Sequence, residues 1–207
     1  MKKEPVCRKC RRAGMKLFLK GEKCFSPKCP MVRRPYPPGF HGQKPVSLSE
    51  YEKQLREAQK IKWTYGIRDR QFKNYLEEAK RQKELTVADA LKQLLERRLD
   101  NVVFLAGFAL SRRHARQMVS HGHFYLNGRK ITIPSYLVKP NDVIALKEKS
   151  KKSQLAEEIK RKKESVHPPE WLEVDFENLT IKVKRLPLPE EVKVPFDFEL
   201  AIERYSR

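Results

Sequence analysis

Four cysteines are the residues whose type and spacing most directly suggest chemistry. They follow the pattern Cys7-x2-Cys10-x13-Cys24-x4-Cys29, two short-range pairs on either side of a loop long enough to fold back. Four thiolates from two such pairs suit a closed tetrahedral zinc site. An iron–sulfur cluster fits the same cysteines, and two disulfides or four free thiols are the alternatives without a metal.

The context of the cysteines favours a metal over disulfides. No cysteine follows Cys29, and the N-terminus has neither the apolar core nor the cleavage site of a secretory signal, so we expect a reducing cytoplasm. A metal would replace the hydrophobic core that so basic a segment cannot build. Flanking cations should lower the pKa of the thiols, which favours metal over protons; they are Arg8, Lys9, Arg11, Lys23 and Lys28.

The charge balance points to a polyanionic partner. The 207 residues include 46 Lys and Arg against 26 Asp and Glu, a net charge of +20. Residues 1–50 contribute +10, residues 101–150 contribute +6, and residues 151–207 are neutral. The basic blocks therefore predict nucleic acid, and the neutral tail predicts a different role for residues 151–207. The longest apolar run, Val102 to Leu110, is too short to span a membrane.

The first predicted nucleic-acid surface lies between Arg33 and Lys44. It reads Arg-Arg-Pro-Tyr-Pro-Pro-Gly-Phe-His-Gly-Gln-Lys and combines cations, stackable aromatics and prolines. Such extended basic segments fit single-stranded or junction RNA. The alternative is a proline-stiffened linker whose Tyr36 and Phe40 pack on the next domain.

The second predicted surface is a short helix capped by Ser111 and ended by Gly122. At the helical period one side is apolar and the other is cationic. Arginines in the first turns of a helix, beside its free N–H groups, predict a phosphate site, and a solvated charged face is the alternative. The apolar side is Ala115, Met118 and Val119, the cationic side has Arg113 and Arg116, and Arg112 lies at the seam between them. His114 adds a fourth basic residue within five positions.

Periodicity and turn residues predict the elements that position these groups. The first 45 residues, rich in Gly and Pro, should be extended. A helix capped by Ser47 or Ser49 should end at Gly66, and Asn127-Gly128 should form the type I′ turn of a hairpin. The other predictions are helices after Asp69 and from Thr86, a core segment at 99–109, a turn at 140–142, a charged helix at about 152–163, and strand-like runs at 171–175, 179–184 and 198–202.

Two groups of motifs resemble a known family. The first group resembles the small RNA-binding domain named after bacterial small-subunit ribosomal protein four; it consists of Arg98-Leu99-Asp100-Asn101-Val102-Val103, the segment from Leu110 to His123, and Asn127-Gly128-Arg129. The second group selects the ribosomal protein family itself; it consists of the cysteines, Arg33-Arg34-Pro35-Tyr36-Pro37-Pro38-Gly39, His41-Gly42, Tyr65-Gly66-Ile67, Gln71-Phe72, Trp171-Leu172 and Tyr205-Ser206-Arg207.

The resemblance implies a structural protein of the small ribosomal subunit, in the cytoplasm. It implies binding to a junction in the 5′ domain of the small-subunit ribosomal RNA, nucleation of body assembly, and a contribution to translational accuracy near the channel where messenger RNA enters. Ribosomal protein five is the implied protein partner, and messenger RNA is a possible further partner. Many bacterial members lack the cysteines, so the predicted zinc ion depends on Cys7, Cys10, Cys24 and Cys29 themselves.

We therefore predict an α+β fold without catalytic residues, membrane segments or a small-molecule substrate. Residues 1–45 should form an extended basic arm with a metal knuckle, and 46–98 an all-α domain completed by about 198–207. Residues 99–197 should form an inserted RNA-binding domain with a mainly antiparallel sheet and short helices. The predicted RNA-binding residues are Arg8, Lys9, Arg11, Arg12, Lys20, Lys23, Arg33, Arg34, Tyr36, His41, Lys44, Arg68, Gln71, Arg98, Ser111, Arg112, Arg113, His114, Arg116, His121, His123, Asn127, Arg129 and Lys130.

Two other classes of protein use similar parts. An RNA-modifying enzyme could carry the same RNA-binding domain, but the residues outside the arm, helices and RNA-binding block contain no nucleotide loop and no nucleophile pair. A zinc-dependent nucleic-acid-binding regulator is the other alternative, but the chain has a single knuckle and no dimerisation heptad.

Overall fold

The computed structural model describes residues 5–44, 47–151, 154–161, 163, 166–192 and 194–206. The predicted boundary at 45/46, the predicted helix start at Lys152 and the final Arg207 of the C-terminal motif lie outside these residues. Two compact units are present: the helical unit, Met1–Ala88 with Val194–Arg207, and the sheet unit, Asp89–Lys193.

The described residues of the helical unit contain helices and no strands, and the sheet unit contains both helices and strands. The helices are α1 (Val6–Ala13), α2 (Pro30–Arg33), α3 (Glu50–Tyr65), α4 (Asp69–Arg81), α5 (Val87–Glu96), α6 (Leu99–Leu105), α7 (Arg112–Ser120), α8 (Glu148–Lys151), α9 (Gln154–Arg161) and α10 (Phe198–Glu203). The strands are β1 (Phe124–Leu126), β2 (Arg129–Ile131), β3 (Val143–Leu146), β4 (Leu172–Asp175) and β5 (Thr180–Val183). Among the described residues, no helix combines the length and the apolar character that crossing a membrane requires.

The helix α3 begins and ends where the sequence predicts. The Ser49 hydroxyl accepts a hydrogen bond from the Glu52 N–H at 3.3 Å, which satisfies one of the free donors of the first turn. Gly66 ends the helix in the left-handed conformation, with a φ of 64°. One face of α3, which includes Ala58 and Ile61, is fully buried. Local capping chemistry therefore fixes both ends of this helix.

The C-terminal segment is a helix, so the prediction of a strand-like run at 198–202 is wrong. The Asp197 carboxylate accepts a hydrogen bond from the Leu200 N–H at 2.9 Å and caps α10. Phe198 and Ala201, three residues apart, are both buried, and α10 packs against α3. Helical spacing and a cap outweigh the alternating pattern of hydrophobicity in this segment.

Residues 5–44 are also more helical than predicted. Val6 and Cys10, four residues apart, form the buried side of α1, and Gly14 ends that helix with a φ of 71°. A 3₁₀ turn follows at Gly21–Cys24, and Pro30 begins α2. The prediction of an extended arm is therefore wrong for this part of the chain, because one buried face and one glycine cap suffice to close two turns of helix.

The sheet unit contains one five-stranded sheet, which confirms the predicted antiparallel architecture. Its strand order is β2-β1-β3-β5-β4, and every neighbouring pair is antiparallel. The core includes Phe124, Ile144 and Ile181 from the strands, and Leu99 and Val119 from α6 and α7. This core holds α6 and α7 against one another and against the sheet.

The hairpin between β1 and β2 has the predicted turn. Leu126 pairs with Arg129, and the two residues between them, Asn127 and Gly128, have φ values of 48° and 79°. Positive φ at both central positions is the requirement of a type I′ turn, whose twist matches that of the strands.

The division between the units falls at 88/89, ten residues before the predicted boundary at 98/99. Hydrogen bonds explain the difference. The Leu99 N–H donates to the Tyr136 carbonyl at 2.8 Å, and the Val138 N–H donates to the Arg97 carbonyl at 2.9 Å. The end of α5 is thereby fixed to the segment that follows the hairpin, within the sheet unit.

Candidate nucleic-acid interface

The helix α7 separates an apolar face from a cationic face, as predicted. The Ser111 hydroxyl accepts a hydrogen bond from the His114 N–H at 3.2 Å and caps the helix. Ala115, Met118 and Val119 are buried against the sheet-unit core. Because Ser111 is buried and occupied as a cap, it positions the helix rather than offering its hydroxyl to RNA.

The first two arginines of α7 are placed differently. The Arg112 Nε donates to Asn101 Oδ1 at 2.7 Å, and its guanidinium lies 4.6 Å from the centre of the Phe104 ring. Arg113 is exposed and has no intramolecular polar partner among the described residues. Arg113 is therefore the arginine most available to a phosphate, whereas Arg112 is held partly by its own domain.

A buried aspartate lies below the third arginine of α7. Arg98 donates two hydrogen bonds to the Asp100 carboxylate, at 3.0 and 2.6 Å, and both side chains are almost fully buried. The guanidinium of Arg116, about half exposed, lies 3.6 Å from the same carboxylate. Burial raises the pKa of Asp100, and Arg98 and Arg116 act in the opposite direction. Arg98, 1% exposed, is thus an internal partner of Asp100, and its guanidinium is not presented on the surface where the predicted RNA contact would require it.

Asn101 is a positioning residue whose role the sequence did not reveal. It is buried, and its amide nitrogen donates to the Glu96 carbonyl at 3.1 Å and to the Glu96 carboxylate at 2.8 Å. Its amide oxygen accepts the bond from Arg112. The signal available in the sequence is a pair of polar residues, Asp100-Asn101, at the start of a segment that is otherwise almost wholly apolar.

The hairpin turn is held by its own asparagine. The Asn127 amide nitrogen donates to the Asp142 carboxylate at 2.8 Å, and its amide oxygen accepts from the Val143 N–H at 2.8 Å. The other Asp142 oxygen accepts from the Lys139 N–H at 2.8 Å. Asn127 is therefore engaged in fixing the turn, while Arg129, on the next strand, stays exposed.

Two replacements of Asn127 should separate the contribution of its positive φ from that of its side-chain hydrogen bonds. Asn127→Gly keeps the positive φ but loses both side-chain bonds and leaves the buried Asp142 with one partner fewer, so we expect a loss of about 1–3 kcal/mol. Asn127→Ala should cost about 1 kcal/mol more, because alanine disfavours a positive φ. Chemical denaturation monitored by Trp171 fluorescence in a Trp63→Phe background would measure both. Equal stability of the two variants would contradict the assignment of strain to the turn.

The turn after α7 lies next to the hairpin. Gly122 has a φ of 71°, and a Cβ at this position would come within 2.5 Å of the Lys130 side chain, so the lysine stem crosses the glycine. The His123 ring lies 2.9 Å from the Ser150 hydroxyl, and burial lowers the pKa of His123, with His121 and Lys147 acting in the same direction. The neutral form of His123 is thereby favoured, and exposed cations beside it include Lys130 and Arg129.

In the helical unit, Arg11 ties the proline-rich segment to α1. Its Nε donates to the Tyr36 carbonyl at 2.9 Å, its Nη2 donates to the Pro37 carbonyl at 3.3 Å, and its guanidinium lies 5.0 Å from the centre of the Tyr36 ring. A Cβ at Gly42 would overlap the Pro37 carbonyl, which explains the glycine. Phe40, in contrast, is 98% exposed.

The predicted RNA-binding residues fall into groups by exposure. In the helical unit, the exposed members are Arg8, Arg12, Lys20, Lys23, Arg33, Arg34, His41, Lys44 and Arg68, and the half-buried members are Lys9, Arg11, Tyr36 and Gln71. In the sheet unit, the exposed members are Arg113, Arg116, His121, Asn127, Arg129 and Lys130, the half-buried members are Arg112, His114 and His123, and the buried members are Arg98 and Ser111. Each unit therefore presents its own cationic surface.

The four cysteines line one small cavity of about 10 Å³. All four thiols are free. The Lys20 N–H donates to the Cys24 sulfur at 3.4 Å, and the Leu17 N–H donates to the Cys10 sulfur. Such N–H donors favour thiolates, and thiolates are the ligands of structural zinc sites. The chemistry of these four donors thus fits a thiolate-bound metal. Their arrangement is not that of a formed site, because in the described part of the chain no three His, Cys, Asp or Glu side chains are placed to hold an ion.

The pKa of Cys10 differs from the prediction that flanking cations lower it. Burial raises the pKa of this thiol, the bond from Leu17 lowers it, and the neighbouring cysteines raise it further. The flanking cations Arg8, Lys23 and Lys28 are exposed. Their field is screened by solvent, whereas the desolvation of Cys10 is not.

Comparison with known proteins agrees with the geometry of both units. Residues 1–96 match the family described as "Ribosomal protein S4/S9 N-terminal domain", and residues 97–144 match the "S4 domain". Proteins named "Small ribosomal subunit protein uS4" are similar over 98% of this chain and 97% of their own length. Examples are those of Caldicellulosiruptor bescii (53% identical over 203 residues), Thermotoga petrophila (50% over 206) and Thermodesulfovibrio yellowstonii (49% over 202).

The sheet unit has a cationic helix and a type I′ hairpin on a small antiparallel sheet, and the chain also has a helical unit. These features define the class as proteins that carry an S4 domain beside a second, helical domain. Within that class, similarity of about 50% along nearly the whole chain is decisive. The chain belongs to the ribosomal protein uS4 family. This family consists of structural proteins of the ribosome, which confirms the prediction that the chain is not an enzyme.

Proposed function

We propose that this chain binds small-subunit ribosomal RNA as a structural component of the small ribosomal subunit. The observation that carries the proposal is the cationic face of α7, where Arg113 and Arg116 are exposed and Arg116 lies 3.6 Å from the buried Asp100 carboxylate. Arg129 and Lys130 extend the positive charge along the hairpin of the same unit. Exposed cations on a rigid helix and turn suit contacts with RNA phosphates.

The finer part of the proposal concerns position in the ribosome. We propose that the chain recognises a junction in the 5′ domain of the ribosomal RNA, nucleates assembly of the body, and supports translational accuracy near the channel where messenger RNA enters. Ribosomal protein five is the proposed neighbour of the C-terminal part. The neutral charge of residues 151–207, against +10 for residues 1–50, supports a protein-facing role for that part.

The four cysteines form the basis of a separate proposal, that the arm holds one zinc ion. Cys7, Cys10, Cys24 and Cys29 would be its ligands, and an iron–sulfur cluster is the alternative occupant. Their convergence on one cavity and the N–H donors at two of the sulfurs support the proposal. Zinc bound by four thiolates has no open position and acts as a structural cross-link. The thiols must lose their protons as the ion binds.

The salt dependence of RNA binding tests the main proposal. With about 8–10 phosphate contacts, the slope of log K against log salt should be roughly −6 to −9. Arg113→Ala should weaken binding to isolated small-subunit ribosomal RNA and make the slope shallower by about 1, because one phosphate contact is lost. Filter binding across a salt series would measure both quantities.

Gln117 provides the matched control, since it is neutral and exposed on the same helix. Gln117→Ala should leave the slope unchanged. Thermal unfolding of Arg113→Ala should match that of the unmodified chain, because Arg113 has no internal partner among the described residues. A slope near zero for the unmodified chain would refute the proposed RNA-binding surface.

A further inference from the structure

Two phenylalanines of the arm are exposed and stacked on each other. Phe25 is 75% exposed and Phe18 is 42% exposed. Their ring centres are 5.0 Å apart and their planes meet at 30°. Phenylalanine is normally among the most buried residues, so an exposed pair of stacked phenylalanine rings is a candidate binding surface.

The backbone around the cysteines holds both rings in place. Phe18 has a φ of 50°, a left-handed conformation that a bulky side chain rarely adopts. It lies between Leu17 and Lys20, whose N–H groups donate to the sulfurs of Cys10 and Cys24. Phe25 directly follows Cys24 and ends the 3₁₀ turn. The ring pair is therefore presented by the same loops that bring the cysteines together.

The positive charge near the two rings indicates which kind of partner they suit. Three exposed lysines lie within five residues of Phe18 or Phe25 in the sequence: Lys20, Lys23 and Lys28. Glu22 is the one acidic residue between positions 5 and 44. A flat apolar face among cations is complementary to a ligand that joins an aromatic ring to an anionic backbone, and an unpaired nucleotide has both.

We propose that the Phe18–Phe25 pair is a stacking platform for an unpaired base of the ribosomal RNA, with the neighbouring lysines on the adjoining phosphates. The inference rests on the proposed function and adds a second mode of contact to it. The cationic face of α7 binds backbone charge, whereas the platform binds the face of a base. Stacking tolerates different bases, because every base has a π-face.

A change of ring character at position 25 tests the platform in the full chain. Phe25→Leu keeps an apolar side chain but removes the π-face, and it should weaken binding to small-subunit ribosomal RNA by about 5- to 150-fold. The slope of log K against log salt should stay unchanged, because no phosphate contact is lost. Phe25→Tyr keeps the ring and should bind within about twofold of the unmodified chain.

Two further variants protect the test against a folding artefact. Val32→Ala changes another exposed apolar residue of the arm, 55% exposed, and should leave the affinity unchanged. Phe25→Trp should show fluorescence quenched by added ribosomal RNA beyond the change seen for the native tryptophans. This signal reports stacking directly and does not depend on the stability of the leucine variant.

The outcomes separate the platform from the proposed function. If Phe25→Leu binds naked RNA within twofold and Phe25→Trp shows no added quenching, the platform is overturned while RNA binding by the chain stands. If Phe25→Leu binds naked RNA normally but is lost from assembled subunits, the rings contact a protein, which also overturns the platform. Absence of RNA binding by the unmodified chain would refute the proposed function itself.

Discussion

Asp100→Ala should destabilise the sheet unit by about 3–5 kcal/mol. The carboxylate accepts two hydrogen bonds from Arg98, and that guanidinium is 1% exposed. Removing Asp100 takes away the carboxylate that accepts two hydrogen bonds from this buried guanidinium, so the cost of desolvating the positive charge is offset much less. Arg116 also loses its 3.6 Å contact and a constraint on its direction, so the affinity for ribosomal RNA should fall as well.

The measurement needs a probe confined to the sheet unit. Trp171 is 2% exposed in its core, and replacing Trp63 of α3 by phenylalanine makes Trp171 the one tryptophan left. Urea unfolding followed by Trp171 fluorescence then reports that unit. The double variant Arg98→Met with Asp100→Leu is the control, because an apolar pair leaves no buried charge and should lose much less. A loss below 1 kcal/mol for Asp100→Ala would contradict the role assigned to the pair.

Features set by local backbone chemistry could be predicted from the sequence. The cap at Ser49, the left-handed end at Gly66 and the turn at Asn127-Gly128 each depend on a few adjacent residues. The two faces of α7 follow from the helical period. These predictions are confirmed because the required φ values and hydrogen bonds involve neighbours in the chain.

Features set by distant contacts could not be predicted in the same way. Arg98 resembles any surface cation in the sequence, and only the tertiary structure shows that it is buried with Asp100. The segment from Phe198 alternates like a strand, and packing on α3 makes it a helix. The sequence predicts that Arg11 binds RNA, yet its guanidinium donates hydrogen bonds to carbonyl groups 25 and 26 residues away. A short segment takes the conformation that its partners favour, and the partners are not visible locally.

Removal of the proposed zinc ion should unfold the arm and leave the rest of the protein folded. Apart from the cysteines, the buried apolar side chains described between positions 5 and 44 are Val6 and Leu17, a core too small to hold α1 and α2 by itself. Binding of structural zinc contributes roughly 10–16 kcal/mol in small metal-dependent domains. The sheet unit has its own large core, so it should not depend on the ion.

Cys10→Ser and chelation of the unmodified chain should give the same result, rapid proteolysis within residues 1–44, because both remove the cross-link between the two cysteine pairs. Mass spectrometry of the fragments locates the cuts, and elemental analysis should find about one zinc per chain before chelation and less in Cys10→Ser. Iron with visible absorbance would instead indicate a cluster. Arg12→Ser, an exposed change in the same helix, should keep both metal and protease resistance. If the arm resists protease equally well after chelation, side-chain packing alone maintains its fold. That outcome would contradict a structural role for a metal at the cysteines.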